Sequence, residues 1–198
     1  MAETENKVQF NLKNVHYAVL ESDNGQPQWL DPVKVPGAVN LNLAAQGEVT
    51  PFYADGIVYY QSSVNNGYSG DLEMARFPEK MHKDVWGVEE TETDAVLIEN
   101  SSVEPKPFAL LFQIDGNISG EYFLMYNCSG RRPGVVAKTN QNTKEPQTQT
   151  STISAVSLEN GMVMARTTSR TPKEVKDNWF KAVYLPKPPT ETKEETGE

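Results

Sequence analysis

The sequence predicts a mainly β protein with one or two short flanking helices and a long protruding loop. Apolar and polar residues alternate over much of the chain with the two-residue period of a half-buried strand. Asp-Gly and Asn-Gly pairs recur between those runs, where tight hairpins need residues that tolerate positive φ. Helical signals are confined to two short stretches, each opened by a proline.

The first strand begins at Lys7, with Val8, Phe10 and Leu12 alternating against Lys7, Gln9, Asn11 and Lys13. Beyond Leu12 the apolar phase moves to Val15, Tyr17 and Val19, which predicts a bulge or a change of strand neighbour. Asp23-Asn24-Gly25 supplies a turn, and Val33, Val35, Val39, Leu41 and Leu43 resume the alternation. Pro36-Gly37 interrupts it, as suits an edge strand or a bend. From Ala44 to Asp71 the chain carries Phe52, Tyr53, Tyr59, Tyr60 and Tyr68 between Gly47, Pro51, Asp55-Gly56 and Asn65-Asn66-Gly67. This reads as a long tyrosine-rich hairpin or loop that either folds back on its own core or packs on another subunit.

Leu72 and Met74 continue a strand, with Asp71 and Glu73 on its other face. Pro78 opens a short helix over Glu79 to Trp86, closed by Gly87, with Met81, Val85 and Trp86 on one side. The acidic run Glu89 to Asp94 is an exposed loop. Phe108 to Asp115 and Glu121 to Cys128 are two strands joined at Asp115-Gly116-Asn117. Thr150 to Leu158 and Met162 to Thr167 form a further pair around Glu159-Asn160-Gly161, after a polar loop over Asn140 to Gln149. Thr171-Pro172-Lys173-Glu174 has the form of a capping box, and Val175, Trp179, Ala182 and Val183 follow at helical spacing until Pro186.

Composition narrows the function. The 198 residues suit one domain with arms, and no internal repeat or boundary between two domains is visible. Hydrophobic residues make up 37%, below the roughly 45–50% of globular averages, so part of the chain is expected to order only against neighbours. The net charge of −9 lacks the cationic footprint of a nucleic-acid binder. It fits either plain solubility or a surface that a polyanion must pass without sticking. With Cys128 alone, neither an internal disulfide nor a zinc cluster of thiolates is possible. Residues 1–6 are polar, without the apolar stretch of a signal peptide, and no run reaches the roughly 18 apolar residues of a membrane span. The expectation is a cytosolic protein, in which the Asn-x-Ser triplets at Asn100, Asn117 and Asn127 are coincidental.

Reactive chemistry is sparse, so the expectation is a protein that is not an enzyme, with no catalytic, cofactor-binding or metal site. His16 in a strand and His82 in a helix have no second ligand at metal spacing. A Cys128–histidine dyad is the weaker reading, because a buried cysteine usually behaves as a small hydrophobe. Asp71 and Glu73 resemble paired carboxylates, though such spacing is common on solvated strands. No glycine loop cradles a phosphate, and Arg131-Arg132 reads as a turn anchor or a subunit salt bridge.

Several stretches together resemble the major tail protein (tail tube protein) family of siphophages, of the type found in phages of Gram-positive hosts. They are Lys7-Val-Gln-Phe-Asn-Leu-Lys-Asn-Val-His-Tyr-Ala-Val19, Val35-Pro-Gly-Ala-Val-Asn-Leu41, Phe52-Tyr-Ala-Asp55 with Tyr59-Tyr60, Asn65-Asn-Gly-Tyr68 and Gly70-Asp-Leu-Glu73. Lys106-Pro-Phe-Ala-Leu-Leu-Phe112, Tyr126-Asn-Cys128, Glu145-Pro-Gln-Thr148 and Asn178-Trp-Phe-Lys-Ala-Val-Tyr184 complete the set. Their order and spacing carry the resemblance, which covers residues 7–185. Residues 1–6, expected as a flexible extension, and 186–198, expected as a disordered acidic tail, lie outside it.

The resemblance implies a β-sandwich or half-barrel tail tube fold and a homo-oligomer, hexameric rings stacked into a tube through which genomic DNA is ejected. It implies a virion tail location after assembly in the host cytoplasm, and tape measure, tail terminator and distal tail proteins as partners. DNA passes without specific binding, and the subunit enters no membrane. Phe52, Tyr53, Tyr59, Tyr60 and Tyr68 become ring-stacking candidates, and Trp179 and Val183 pack the closing helix. Asp71, Glu73 and Glu121 become candidates for a lumen that repels phosphates, effective within about 8–10 Å at physiological salt. The competing readings are a monomeric β-sandwich that binds carbohydrate or a surface through loop-tip aromatics, and a small hydrolase, which the residue inventory barely permits.

Overall fold

The computed structural model describes residues 5–22, 26–139 and 145–187. The turn expected at 23–25, half of the polar loop and nearly all of the C-terminal tail therefore lie outside the described residues. In chain order the strands begin with β1 (Gln9–Ser22), β2 (Gln28–Trp29), β3 (Val33–Lys34), β4 (Ala38–Ala45), β5 (Val49–Ala54), β6 (Ile57–Ser63) and β7 (Tyr68–Met74). Helix α1 (Glu79–Asp84) follows, then β8 (Glu89–Glu90), β9 (Leu97–Ile98), β10 (Phe108–Gly116), β11 (Glu121–Gly130), β12 (Gln149–Val156), β13 (Met164–Arg166) and helix α2 (Lys173–Asn178).

One antiparallel sheet dominates, with the path β2-β1-β10-β11-β12-β7-β4 and with β3 and β13 paired off it to β1 and β11. Its middle strands are continuous apolar runs because both their faces are covered. Phe108, Leu110 and Phe112 of β10 point into one core with Val15, Tyr17, Leu72, Met74 and Ile153. Ala109 and Leu111 point into a second with Leu124, Tyr126 and Trp179. Helix α1 seals the first core and the α2 region the second.

The predicted phase change in β1 is real. Its ladder with β10 slips between Phe10 and Leu12 and again between Lys13 and His16, where Asn11 and Asn14 take φ of 40° and 52°. Only the second half of the strand is buried, however; Val8 and Phe10, expected on the buried face of a half-buried strand, stand 49% and 56% exposed. β4 is an edge strand on this path, as Pro36-Gly37 suggested. The sheet curls until β4 faces the start of β1 across an open cleft, without closing into a barrel. The β4–β7 ladder needs a glycine at position 70, where a Cβ would lie 1.7 Å from the Asn42 carbonyl oxygen.

Three local expectations are corrected. β12 and β13 do not pair with each other; both lie along the same edge of β11, β12 at its Asn127–Gly130 end and β13 at Phe123–Met125. One strand therefore offers a ladder to each in turn, and the Glu159–Gly161 turn only steps the chain along it. Helix α2 starts without a capping box: Pro172 is the N-cap, and Thr171 Oγ1 accepts a hydrogen bond from Thr168 N at 2.8 Å instead. It also ends at Asn178, so Trp179 and Val183 reach the second core from the turns after it, while Ala182 is exposed.

Helix α1 does follow Pro78, and Met81, Val85 and Trp86 are all buried. Trp86 donates its indole N–H to Gly130 O at 3.0 Å and meets Phe77 edge-on at 5.4 Å. Tyr17 donates to Asp84 Oδ2 at 2.7 Å, tying β1 to the helix end. Among the described residues, no helix is long and apolar enough to cross a membrane.

Candidate assembly surface

Beyond β4 and β7 the ladder runs on through Gln46 N to Gly67 O and Asn66 N to Gln46 O, both 2.8 Å, into the β5–β6 hairpin. Asp55 and Gly56 close it with φ of 52° and 78°, the two left-handed residues that a two-residue hairpin turn of matching twist requires. Phe52 pairs with Tyr60 and Tyr53 with Val58, so Tyr59 is an extra residue bulged between them. One face presents Phe52, Ile57 and Tyr60, and the opposite face Val49, Tyr53 and Val58. Both faces are open: Phe52, Tyr53, Tyr59 and Tyr60 are 60–71% exposed, and Ile57 is 64% exposed.

The alternative left open by the sequence is thus resolved in one respect: the hairpin does not fold back on its own core. A two-stranded hairpin alone is marginal in water at best. Burying one such side chain is worth roughly 1.5–3 kcal/mol. An apolar hairpin open on both faces has the composition of an interface rather than a surface loop.

Tyr68 stands apart from the other four aromatics. It belongs to β7, is half-buried, and packs against the first core at the hairpin's root. Asp71 and Glu73 share the outer face of β7, since Leu72 and Met74 between and beside them are fully buried. Thr152 Oγ1 donates to Asp71 Oδ1 at 2.9 Å and Thr148 Oγ1 to Glu73 Oε1 at 2.5 Å. Asn42 and Asn40 of β4 stand opposite the two acids, so this face of β4, β7 and β12 is polar. Glu121 is not part of it. It starts β11 on the core-facing side with Phe123 and accepts a hydrogen bond from Asn6 Nδ2 at 2.9 Å.

Asn6, within the expected flexible extension, also donates to Ser119 O and accepts from the N–H groups of Ile118 and Ser119, clasping the β10–β11 turn. Trp179 is buried, donates to Phe123 O at 3.4 Å and stacks on Tyr184; Val183 packs beside them, half-buried.

The remaining polar candidates are integrated into the fold. Cys128 is fully buried, and burial pushes its thiol up to about 12. His16 stacks on Phe180 with Nδ1 2.8 Å from Asn14 O, and His82 lies against Trp86; burial lowers both imidazoles below the ordinary value. Arg132 anchors a turn by donating from Nη2 to Trp86 O and Val103 O. Its Nε sits 3.0 Å from Glu99 Oε1, at ion-pair distance but out of hydrogen-bond alignment. Among the described residues, no three His, Cys, Asp or Glu side chains gather as a metal site would require.

Sequence reasoning did not find the cleft between β4 and the start of β1. It is an open volume of about 670 Å3 between Phe10 and Leu12 on one side and Val39 and Leu41 on the other, with Ile114 and Met164 also lining it. The alternation of β1 and β4 marks these residues as wanting cover. What it could not supply is that the sheet stops short of providing it.

No protein-family model matches the chain, and no curated protein matches it. Among solved structures, it is similar to the tube terminating cap of the anti-feeding prophage determined by cryo-EM. Identity is 12% over 85% of this chain and 99% of that one, with a TM-score of 0.38. That likeness is too loose to assign a role.

Proposed function

We propose that this chain is a structural, non-catalytic subunit that self-assembles into stacked rings, the tail tube of a long-tailed phage. One observation carries the reading: the β5–β6 hairpin exposes apolar side chains on both faces and finds no cover among the described residues. A body with an open edge at β4 and a projecting apolar arm is suited to head-to-tail contact, which propagates into a filament unless the rotation closes it into a ring. The polar face bearing Asp71, Glu73, Asn40 and Asn42 supports a channel role, since carboxylates there would discourage DNA phosphates from adhering. The sequence resemblance supplies the sixfold ring and the tape measure, terminator and distal tail partners, and with them a virion location.

The test is assembly of the purified chain, followed by sedimentation and negative-stain microscopy over a concentration series. Rings or tubes that vanish when residues 49–63 are replaced by a short glycine-rich turn would support the reading. A compact monomer at every concentration, combined with binding to a glycan panel through Tyr53 or Tyr59, would favour the surface-binding module instead.

A further inference from the structure

The hairpin and the cleft share a pattern of charge. Between Val49 and Ser63 the only charged residue is Asp55, at the hairpin tip. Among the described residues lining the cleft, the only charged one is Arg166, on strand β13. Arg166 is exposed, and makes no ion pair among the described residues. The cleft is otherwise apolar or neutral, matched to the aromatic and aliphatic side chains near the tip. It is also bordered by β4, which among the described residues carries a ladder partner on one side alone.

The geometry points to a specific acceptor: the cleft between β4 and the start of β1 receives the β5–β6 hairpin tip of a second copy of this chain, with Asp55 against Arg166. This rests on the proposed self-assembly and adds where the arm docks. Seating the tip there covers Phe10 and Val39, the apolar side chains that the open sheet leaves in water, together with the hairpin's own aromatics. Apolar contacts supply the affinity. The single charge pair fixes register and direction, since a like-charge pair there is strongly disfavoured. Donor and acceptor are different surfaces of one chain, so the contact is head-to-tail and repeats without limit along a stack.

Charge exchange tests it. Asp55→Arg and Arg166→Asp are made separately, both at exposed positions, and their folding is checked by denaturation. Each alone should raise the concentration needed for assembly by about tenfold or more, because it places like charges across the contact. An equimolar mixture should restore assembly to the wild-type concentration: each protein's tip then meets an opposite charge in the other's cleft. Singles that assemble like wild type, or a mixture that fails to recover, overturn the acceptor assignment while leaving self-assembly standing. Cross-linking gives an independent reading that does not require tubes. Asp55→Cys mixed with Arg166→Cys should yield disulfide heterodimers under mild oxidation, with the buried Cys128 silent. Absence of heterodimers refutes docking between copies, as does a cross-link formed only within one chain when Asp55→Cys and Arg166→Cys are placed in the same chain. If wild type never assembles, the tail tube reading fails separately, and this cross-link still decides the cleft.

Discussion

Replacing Phe52 and Tyr60 together by alanine should leave the folded subunit's stability within about 0.5 kcal/mol while crippling assembly. The two are cross-strand partners on one hairpin face, and 60% and 64% of each is in water. An aromatic side chain can bury roughly 150–250 Å2 in total, so docking has roughly 90–160 Å2 of each still to cover. At about 25 cal/mol per Å2 that is about 2–4 kcal/mol per residue, reduced in practice by the entropy of ordering the hairpin. Each 1.4 kcal/mol is tenfold, so the double variant should raise the critical concentration by about a hundredfold or more. Urea denaturation of dilute, unassembled protein reads the first quantity, and pelleting across a concentration series reads the second. A stability loss above about 2 kcal/mol with unchanged assembly would refute the reasoning, because it would mean the pair packs against its own subunit.

Trp86→Ala should behave in the opposite way, destabilising the subunit by about 3–5 kcal/mol, since it empties a fully buried site and strands the Gly130 carbonyl; urea denaturation measures it. Stability should also fall with pH. Burial lowers the folded-state pKa of His16 and His82, so their contribution is whole above the ordinary value of about 6.5 and is lost as pH falls from there through the lowered values. Comparing denaturation at pH 7.5 and 5.5 checks this, and a His16→Gln, His82→Gln variant should show a smaller difference; an equal one contradicts it. If the proposed tube forms, Asp71→Asn with Glu73→Gln should leave assembly intact and slow passage of DNA through it, read as ejection kinetics; unchanged kinetics would remove the two acids from the proposed channel wall.

Much of the fold was legible because strand burial writes itself into a period of two. The phase change in β1 and the β10–β11 pair could be read residue by residue, while the stretch around Asp55-Gly56 could be read only as a long hairpin or loop. Where reading failed, a local signal competed with a tertiary one. Thr171 looks like a helix cap but bonds to Thr168. The turn at Glu159–Gly161 looks like a hairpin, yet β12 and β13 each find β11 rather than one another. Turn chemistry states that the chain changes direction; it does not state which strand it meets next.

The site was half legible for a related physical reason. Periodicity and composition identify side chains that need cover, and they did so for Phe10, Val39 and the hairpin aromatics alike. They are silent on whether cover comes from the same molecule. The structure separates the cases: Val15 and Tyr17, one stretch further along β1, are buried within the subunit, whereas Phe10 is not. A single strand thus passes from a completed core into an uncompleted one, and the break falls at the Asn11 and Asn14 bulges. A monomeric domain has every reason to end its apolar alternation there. This chain continues it, and the residues that continue it face a cleft opposite an edge strand with no outer partner among the described residues. Cover supplied by another copy accounts for both features with one contact.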